Sequence, residues 1–262
     1  MNRLLPAFLL TISFISPGWC GVDCDGTDDF VNLGATSQMP TNAFTFAMWV
    51  NPDTTCSSEQ DIVREEDQTL DAGGFISGCG WTSTKFRGYA YTGSYVSTGD
   101  SSTTISAGTW YHVAITYDKD AGTNNLKLYV NGSNESSATT TNPISWTASR
   151  NVTLCNYRVF SSYPGTLSAQ YPFNGKISSM GVWSKALSAV EINQLYLSKV
   201  KRMCLQISSL NQCLEMDDQP EGTSCTGDTF NDLSANSYNA LGDDGANDSG
   251  MGCLAETILS YQ

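Results

Sequence analysis

Apolar and polar residues alternate in period two over much of this chain. The clearest run is residues 109–118, where Tyr111, Val113, Ile115 and Tyr117 fall on one face and Trp110, His112, Ala114 and Thr116 on the other. Such alternation predicts a strand whose two faces meet different surroundings. Leu126, Leu128 and Val130 repeat the pattern after a polar loop, and Asn131-Gly132 closes it. Asn-Gly is a strong hairpin signal, because both central positions of the favoured turn need positive φ. Residues 43–52 alternate again, with Phe44, Phe46, Met48 and Val50 on one side and Thr45, Ala47 and Trp49 on the other, until Pro52 ends the run. Shorter strands are predicted on either side of an Asp25-Gly26 turn and at 61–64, 75–79, 86–91, 151–155, 157–160 and 176–183. Residues 133–141 read as an edge strand or a loop.

Helical spacing occurs once. Ser188 and Glu191 form a capping box, and Ile192, Leu195, Tyr196 and Val200 then share one face. Lys199, Lys201 and Arg202 fall in its last turn, where cations complement the helix dipole. One helix among eight or more strands predicts an all-β protein with a helix packed on it.

Composition narrows the partners. The net charge is −13, from 26 acids against 13 bases in 262 residues. An acidic surface disfavours nucleic acid and anionic membranes, which need a basic face. Residues 1–20 read as a secretion signal: Arg3, an apolar run from Leu4 to Ile15, then small residues before cleavage after Cys20 or Gly18. That run is too short to span a bilayer. Nine cysteines are present; loss of Cys20 leaves Cys24, Cys56, Cys79, Cys155, Cys204, Cys213, Cys225 and Cys253. Eight cysteines in an exported chain imply up to four disulfides, with the pairing open. From residue 203 the chain has no Lys or Arg and ten acids. The expected division is therefore 1–20 signal, 21–202 β domain and 203–262 an acidic, cysteine-rich extension, loop-rich and disulfide-bonded.

At this level of detail the chain resembles a known family. Residues 44–50, the Gly-Thr-Trp-Tyr-His-Val-Ala-Ile-Thr-Tyr-Asp run at 108–118, Leu-Lys-Leu-Tyr-Val-Asn-Gly at 126–132 and the segment from Phe173 to Ser188 resemble the laminin-G-like jelly roll. That family belongs to the concanavalin-A-like lectin and glucanase superfamily and is related to pentraxins. The resemblance implies a two-sheet antiparallel jelly-roll sandwich, extracellular binding of glycans or surface proteins, and in many relatives a Ca²⁺ ion. An acidic pair common in relatives is replaced here by Ser178 and Ser179. The segments 214–223 and 232–241 resemble the stretch that usually precedes the family's first strand, which implies that the tail folds back onto the sandwich.

Glucanases of this fold place two glutamates on one strand face as nucleophile and acid/base. The segment Glu215-Met-Asp217-Asp218-Gln219-Pro220-Glu221 comes near that pattern but has the wrong spacing. Asp248-Ser249-Gly250 echoes a serine-nucleophile turn, but the one histidine, His112, sits inside a strand. Ca²⁺ takes oxygen ligands, which Asp118, Asp120 and Asn124 offer in one loop and Asp25 in another. Trp81, Tyr89 and Tyr91, with Tyr95 nearby, are candidate stacking platforms for a sugar ring. The expectation is a secreted, non-catalytic module binding carbohydrate or a cell-surface protein, with Ca²⁺ as its candidate cofactor. A structural surface component is the alternative, and a divergent glycoside hydrolase stands behind both.

Overall fold

One strand, Tyr111–Asp118, faces two interiors. In the computed structural model, which describes residues 21–66, 75–80, 83–148, 150–160, 167–198, 207–214, 229–230, 236, 240–243 and 252–254, its odd-numbered side chains pack between two sheets. Its even-numbered ones pack beneath a helix. The elements in chain order are β1 (Gly21–Asp25), β2 (Phe30–Ala35), β3 (Ala43–Pro52), β4 (Gln60–Glu65), β5 (Phe75–Cys79) and β6 (Lys85–Tyr91). Then come β7 (Tyr95–Thr104), β8 (Tyr111–Asp118), β9 (Leu126–Val130), β10 (Ser133–Ala138), β11 (Asn151–Leu154), β12 (Tyr157–Phe160), β13 (Leu167–Gln170) and β14 (Asn174–Trp183). The helix α1 (Ala189–Ser198) precedes β15 (Leu210–Leu214), β16 (Thr229–Phe230), β17 (Ala240–Asp243) and β18 (Gly252–Leu254).

Two antiparallel sheets form a jelly-roll sandwich. The first runs β10-β9-β8-β3-β14-β1-β18, with β15 also paired to β14; the second runs β16-β17-β2-β11-β4-β5-β6-β7. Strands β12 and β13 pair only with each other in the described sheets. The chain beyond α1 thus enters both sheets: β15 pairs with β14, β17 with β2 and β18 with β1. Phe44, Phe46, Met48 and Val50 of β3 meet Val113, Ile115 and Tyr117 of β8 between the sheets, all buried. Each such side chain contributes roughly 1.5–3 kcal/mol relative to exposure.

Local chemistry fixes the hairpins and bridges. Asn131 and Gly132 link β9 to β10 with φ of +50° and +80°, the left-handed pair a two-residue hairpin turn requires. Cys24 of β1 is bonded to Cys155 after β11, which ties one sheet to the other, and Cys56 is bonded to Cys79. Cys213 is also disulfide-bonded. Cys204 and Cys225 lie outside the described residues, as does the side chain of Cys253. Ser178 and Ser179 sit in β14 where its register with β3 shifts, and both are buried.

Candidate functional site

The two sheets differ in what covers their outer faces. On the first sheet Ala47, Trp49, Ala114, Tyr129 and Trp183 point away from the central core and are buried by α1 through Ile192 and Leu195. The helix starts where its capping box dictates: Ser188 N–H donates to Glu191 Oε2 at 2.8 Å and Glu191 N–H to Ser188 Oγ at 3.3 Å. Between helix and sheet lies His112, fully buried, with its ring 5.4 Å from that of Trp49 and 6.2 Å from that of Tyr196. Neither ring nitrogen has a hydrogen-bond partner among the described residues. Burial pushes the ring down to about 3. A neutral, enclosed imidazole is a packing group here, with no access to a substrate.

The outer face of the second sheet is built differently. In β6, Phe86 and Ala90 enter the core, and a Cβ on Gly88 would meet Ile115 there. The alternate residues Lys85, Arg87, Tyr89 and Tyr91 therefore face outward. The pairings Tyr91 with Tyr95, Tyr89 with Ser97 and Arg87 with Asp100 then set β7 side chains beside them. Tyr95 packs edge-on against Tyr91 at 5.1 Å and against Tyr89 at 6.5 Å. Tyr95 is 39% exposed and Tyr91 is half-buried, whereas Tyr89 retains only 8% exposure.

A polar pair adjoins these rings. Arg87 Nε–H donates to Asp100 Oδ1 at 2.7 Å, its Nη2 also reaches that oxygen, and its Nη1 donates to Tyr89 Oη at 3.0 Å. Ser83 Oγ–H donates to Asp100 Oδ2 at 2.8 Å. Burial raises the Asp100 carboxyl, but the hydrogen bonds from Ser83 and Arg87 outweigh it and hold the group below its usual value. Burial likewise lowers the Arg87 guanidinium, and Tyr89 and Asp100 more than restore it. The ring of Tyr89 lies 5.9 Å from the Arg87 guanidinium carbon. Rings and hydrogen-bonding groups on one face are what binding a pyranose requires, since its apolar face stacks while its hydroxyls need partners.

One transverse row runs deeper across the same sheet. Asp61 is register partner to Gly78, Gly78 to Arg87 and Arg87 to Asp100. Gly78 leaves the middle of the row without a side chain, and a Cβ there would come within 2.5 Å of the Gln60 carbonyl oxygen. Asp61 is fully buried and bonded to Arg64 at 2.8 Å, while its Oδ1 has no partner among the described residues. Burial pushes Asp61 up to about 6 against the pull of Arg64. Glu59, two residues earlier, is raised to about 7 by burial and then by the Asp61 charge. This Glu-x-Asp lacks a second glutamate, since Val63 and Arg64 stand at the two positions a glucanase strand would need. Arg87 and Asp100 escape sequence reading, because only the β6–β7 register brings them together.

The remaining candidates fall elsewhere. Asp118 ends β8, and Asp120 and Asn124 follow it in the β8–β9 loop. Asp118 Oδ1 accepts the Asp120 N–H at 2.9 Å, and Lys119 Nζ sits on the Asp120 carboxylate at 2.6 Å. Asn124 has φ +53° and donates its N–H to Thr139 Oγ1 at 2.8 Å. Asp25 accepts the Thr27 N–H near the opposite end of β3: Ala43 pairs with Asp118, whereas Pro52 pairs with Gly175, next to Asn174, the partner of Asp25. Ten strand residues put roughly 30 Å between those ends, so Asp25 joins no site with the loop. Among the described residues no three acidic, histidine or cysteine side chains cluster as metal ligands. Lys119 on the Asp120 carboxylate competes with any cation there, and the rest of a six- to eight-oxygen Ca²⁺ shell would have to come from backbone carbonyls, amides and water. Trp81, Glu215, Asp217, Asp218, Glu221, Asp248 and Ser249 lie outside the described residues.

Sequence and structure comparisons place this geometry in a family. A family model described as the Concanavalin A-like lectin/glucanases superfamily matches residues 25–193. The chain belongs to that superfamily. No curated protein sequence matches it. Among solved structures, a putative carbohydrate binding protein from Bacteroides ovatus is 17% identical, with 93% of this chain and 61% of that one aligned and a TM-score of 0.58. The sialidase CBM40 module of Ruminococcus gnavus is 18% identical over 66% of this chain and 94% of that one, with a TM-score of 0.53. The heptameric SAP-like pentraxin of Limulus polyphemus is 17% identical over 70% and 83%, with a TM-score of 0.50. At such identities the likeness is one of fold.

Proposed function

We propose that this superfamily member is an exported, non-catalytic glycan-binding module whose site is the outer face of β6 and β7. One observation carries the reading. Tyr89, Tyr91 and Tyr95 gather beside the Arg87–Asp100 pair on a sheet face that no helix among the described residues covers. Carbohydrate-binding modules among the structural neighbours support it at the level of fold. Disulfides suit an oxidising compartment. Among the described residues, no helix is long and apolar enough to cross a membrane.

Catalysis is no part of the proposal. A retaining glycosidase needs two carboxyl groups about 5–5.5 Å apart around the scissile bond. The described open face offers Asp100, already bound by Arg87 and Ser83, while Asp61 is enclosed and paired with Arg64. The proposed site on β6 and β7 is separate from the Asp118, Asp120 and Asn124 candidates for Ca²⁺, and binding there is proposed to need no metal. Glycan-array binding by the folded protein, repeated with a chelator, tests the reading. Binding that survives chelation and is lost in a Tyr91→Ala, Tyr95→Ala double variant is expected. Absence of any glycan binding in both conditions would favour a structural surface component instead.

A further inference from the structure

We infer that the β6–β7 face selects neutral glycans and rejects sialylated, uronic or sulfated ones, because its cationic groups are already engaged by the protein. This rests on the glycan-binding reading above and specifies its ligand.

An anionic sugar is held by a cation whose hydrogen-bond donors are free to meet a carboxylate or sulfate, usually in a bidentate pair. Arg87 has the right chemistry and position, but its Nε and Nη2 are directed to Asp100 and its Nη1 to Tyr89 Oη. Lys85, next along the same face, donates its Nζ to the carbonyls of Ser101 and Ser102 at 3.0 and 3.2 Å. Arg64 is 3% exposed and paired with Asp61. An incoming anion would approach Arg87 beside the Asp100 carboxylate that already holds its Nε and Nη2, and that carboxylate would repel it. The net charge of −13 adds long-range repulsion.

The same groups keep their capacity for neutral hydroxyls. A carboxylate has about four acceptor positions, and Asp100 uses them only in part for Arg87 and Ser83. Sugar O–H groups can donate to the rest without disturbing the ion pair. Tyr91 and Tyr95 supply ring faces and hydroxyls beside it. The Arg87–Asp100 pair is thus a charge-neutral hydrogen-bonding plate next to an aromatic one.

The test compares matched ligands that differ by one acidic group, on an array and then by calorimetry. Lactose against α2,3-sialyllactose is one such pair, and desulfated against sulfated forms of each bound oligosaccharide are others. The neutral member is expected to bind at least tenfold more tightly. Its affinity should change less than twofold between 50 and 500 mM salt, because no ion pair with the ligand forms. Tighter binding of the acidic members, or a steep loss of affinity with salt, overturns the inference while leaving glycan binding standing. Absence of any bound glycan overturns the broader reading and the inference with it. Asp100→Asn frees Arg87 and should move the acidic-to-neutral affinity ratio at least tenfold toward the acidic ligand. An unchanged ratio in a variant that melts like the parent counts against the inference. If that variant does not fold, the salt series on the unaltered protein decides alone.

Discussion

The outer faces of the two sheets begin from the same strand alternation and end differently. On the first, Ala47 and Ala114 leave room while Trp49, Tyr129 and Trp183 fill it, and α1 settles onto that relief until Trp183 is fully buried. On the second, the outward residues of β6 are Lys85, Arg87, Tyr89 and Tyr91, whose polar ends need water or partners. Tyr95 stays 39% exposed beside them. Small and large apolar residues in alternation make a seat for a helix of the same chain. Amphipathic rings and a paired Arg and Asp keep a face open at little cost, because their apolar parts pack on one another while their polar tips remain satisfied. The first face contributes stability, and the second is the one proposed above for recognition.

That division can be broken most directly by truncation. Trp183→Ala should cost about 3–5 kcal/mol through lost burial and a cavity beneath α1. Tyr91→Ala with Tyr95→Ala should cost less, about 1–3 kcal/mol, since both side chains already keep part of their area in water. Denaturant unfolding measures both. Equal losses would mean that the second face is also structural, and the contrast would fail.

Acid should act on the first face. His112 titrates near its ordinary 6.5 when unfolded and at about 3 when folded. A group whose folded value is depressed favours unfolding as it becomes charged. Stability from His112 is therefore complete above pH 6.5 and is lost as pH falls toward 3, by up to about 5 kcal/mol. His112→Phe keeps a ring between Trp49 and Tyr196 and should flatten this acid limb with little change at pH 7. An acid limb as steep as the parent's in that variant would place the titrating group elsewhere.

The second face should respond in the opposite sense. Glu59 and Asp61 are raised from 4.5 and 3.8 to about 7 and about 6. Their stabilising contribution is complete below the unfolded values and is lost as pH rises through the folded ones. Glu59→Gln removes one of these charges and leaves the Asp61–Arg64 pair intact. Melting temperature should then fall less between pH 4.5 and 7 than in the parent. The effect should be smaller than that of His112→Phe, because Glu59 is only half-buried and water screens it.

Much of the first face was legible in sequence. The alternation in residues 43–52 and 111–118 assigns the right side chains to each interior, and Ser188 with Glu191 marks the helix start that the structure has. Strand β7 was not, since Tyr-Val-Ser-Thr-Gly-Asp-Ser-Ser-Thr-Thr lacks an apolar period. Its pairing with β6 and the hydrogen bonds of Glu135 to Thr103 supply what its composition does not. Tyr89, Tyr91 and Tyr95 stood out as aromatics. Arg87 and Asp100 are 13 residues apart, and the β6–β7 pairing shifts register twice around Arg87. No spacing rule could have joined them.

The smallest effect tests whether the faces are independent. Ser188→Ala removes the Oγ that accepts the Glu191 N–H and, with it, one contact of Glu191, which also binds Lys185 Nζ at 2.7 Å. Loss of such a cap costs about 1 kcal/mol. The helix lies on the first sheet, with the whole core between it and Tyr91, so glycan affinity should be unchanged within twofold while unfolding shifts to lower denaturant. A matching fall in affinity would mean that the seating of α1 is transmitted through β3 and β8 to the open face. Recognition and stability would then be one property of the sandwich, not two properties divided between its sides.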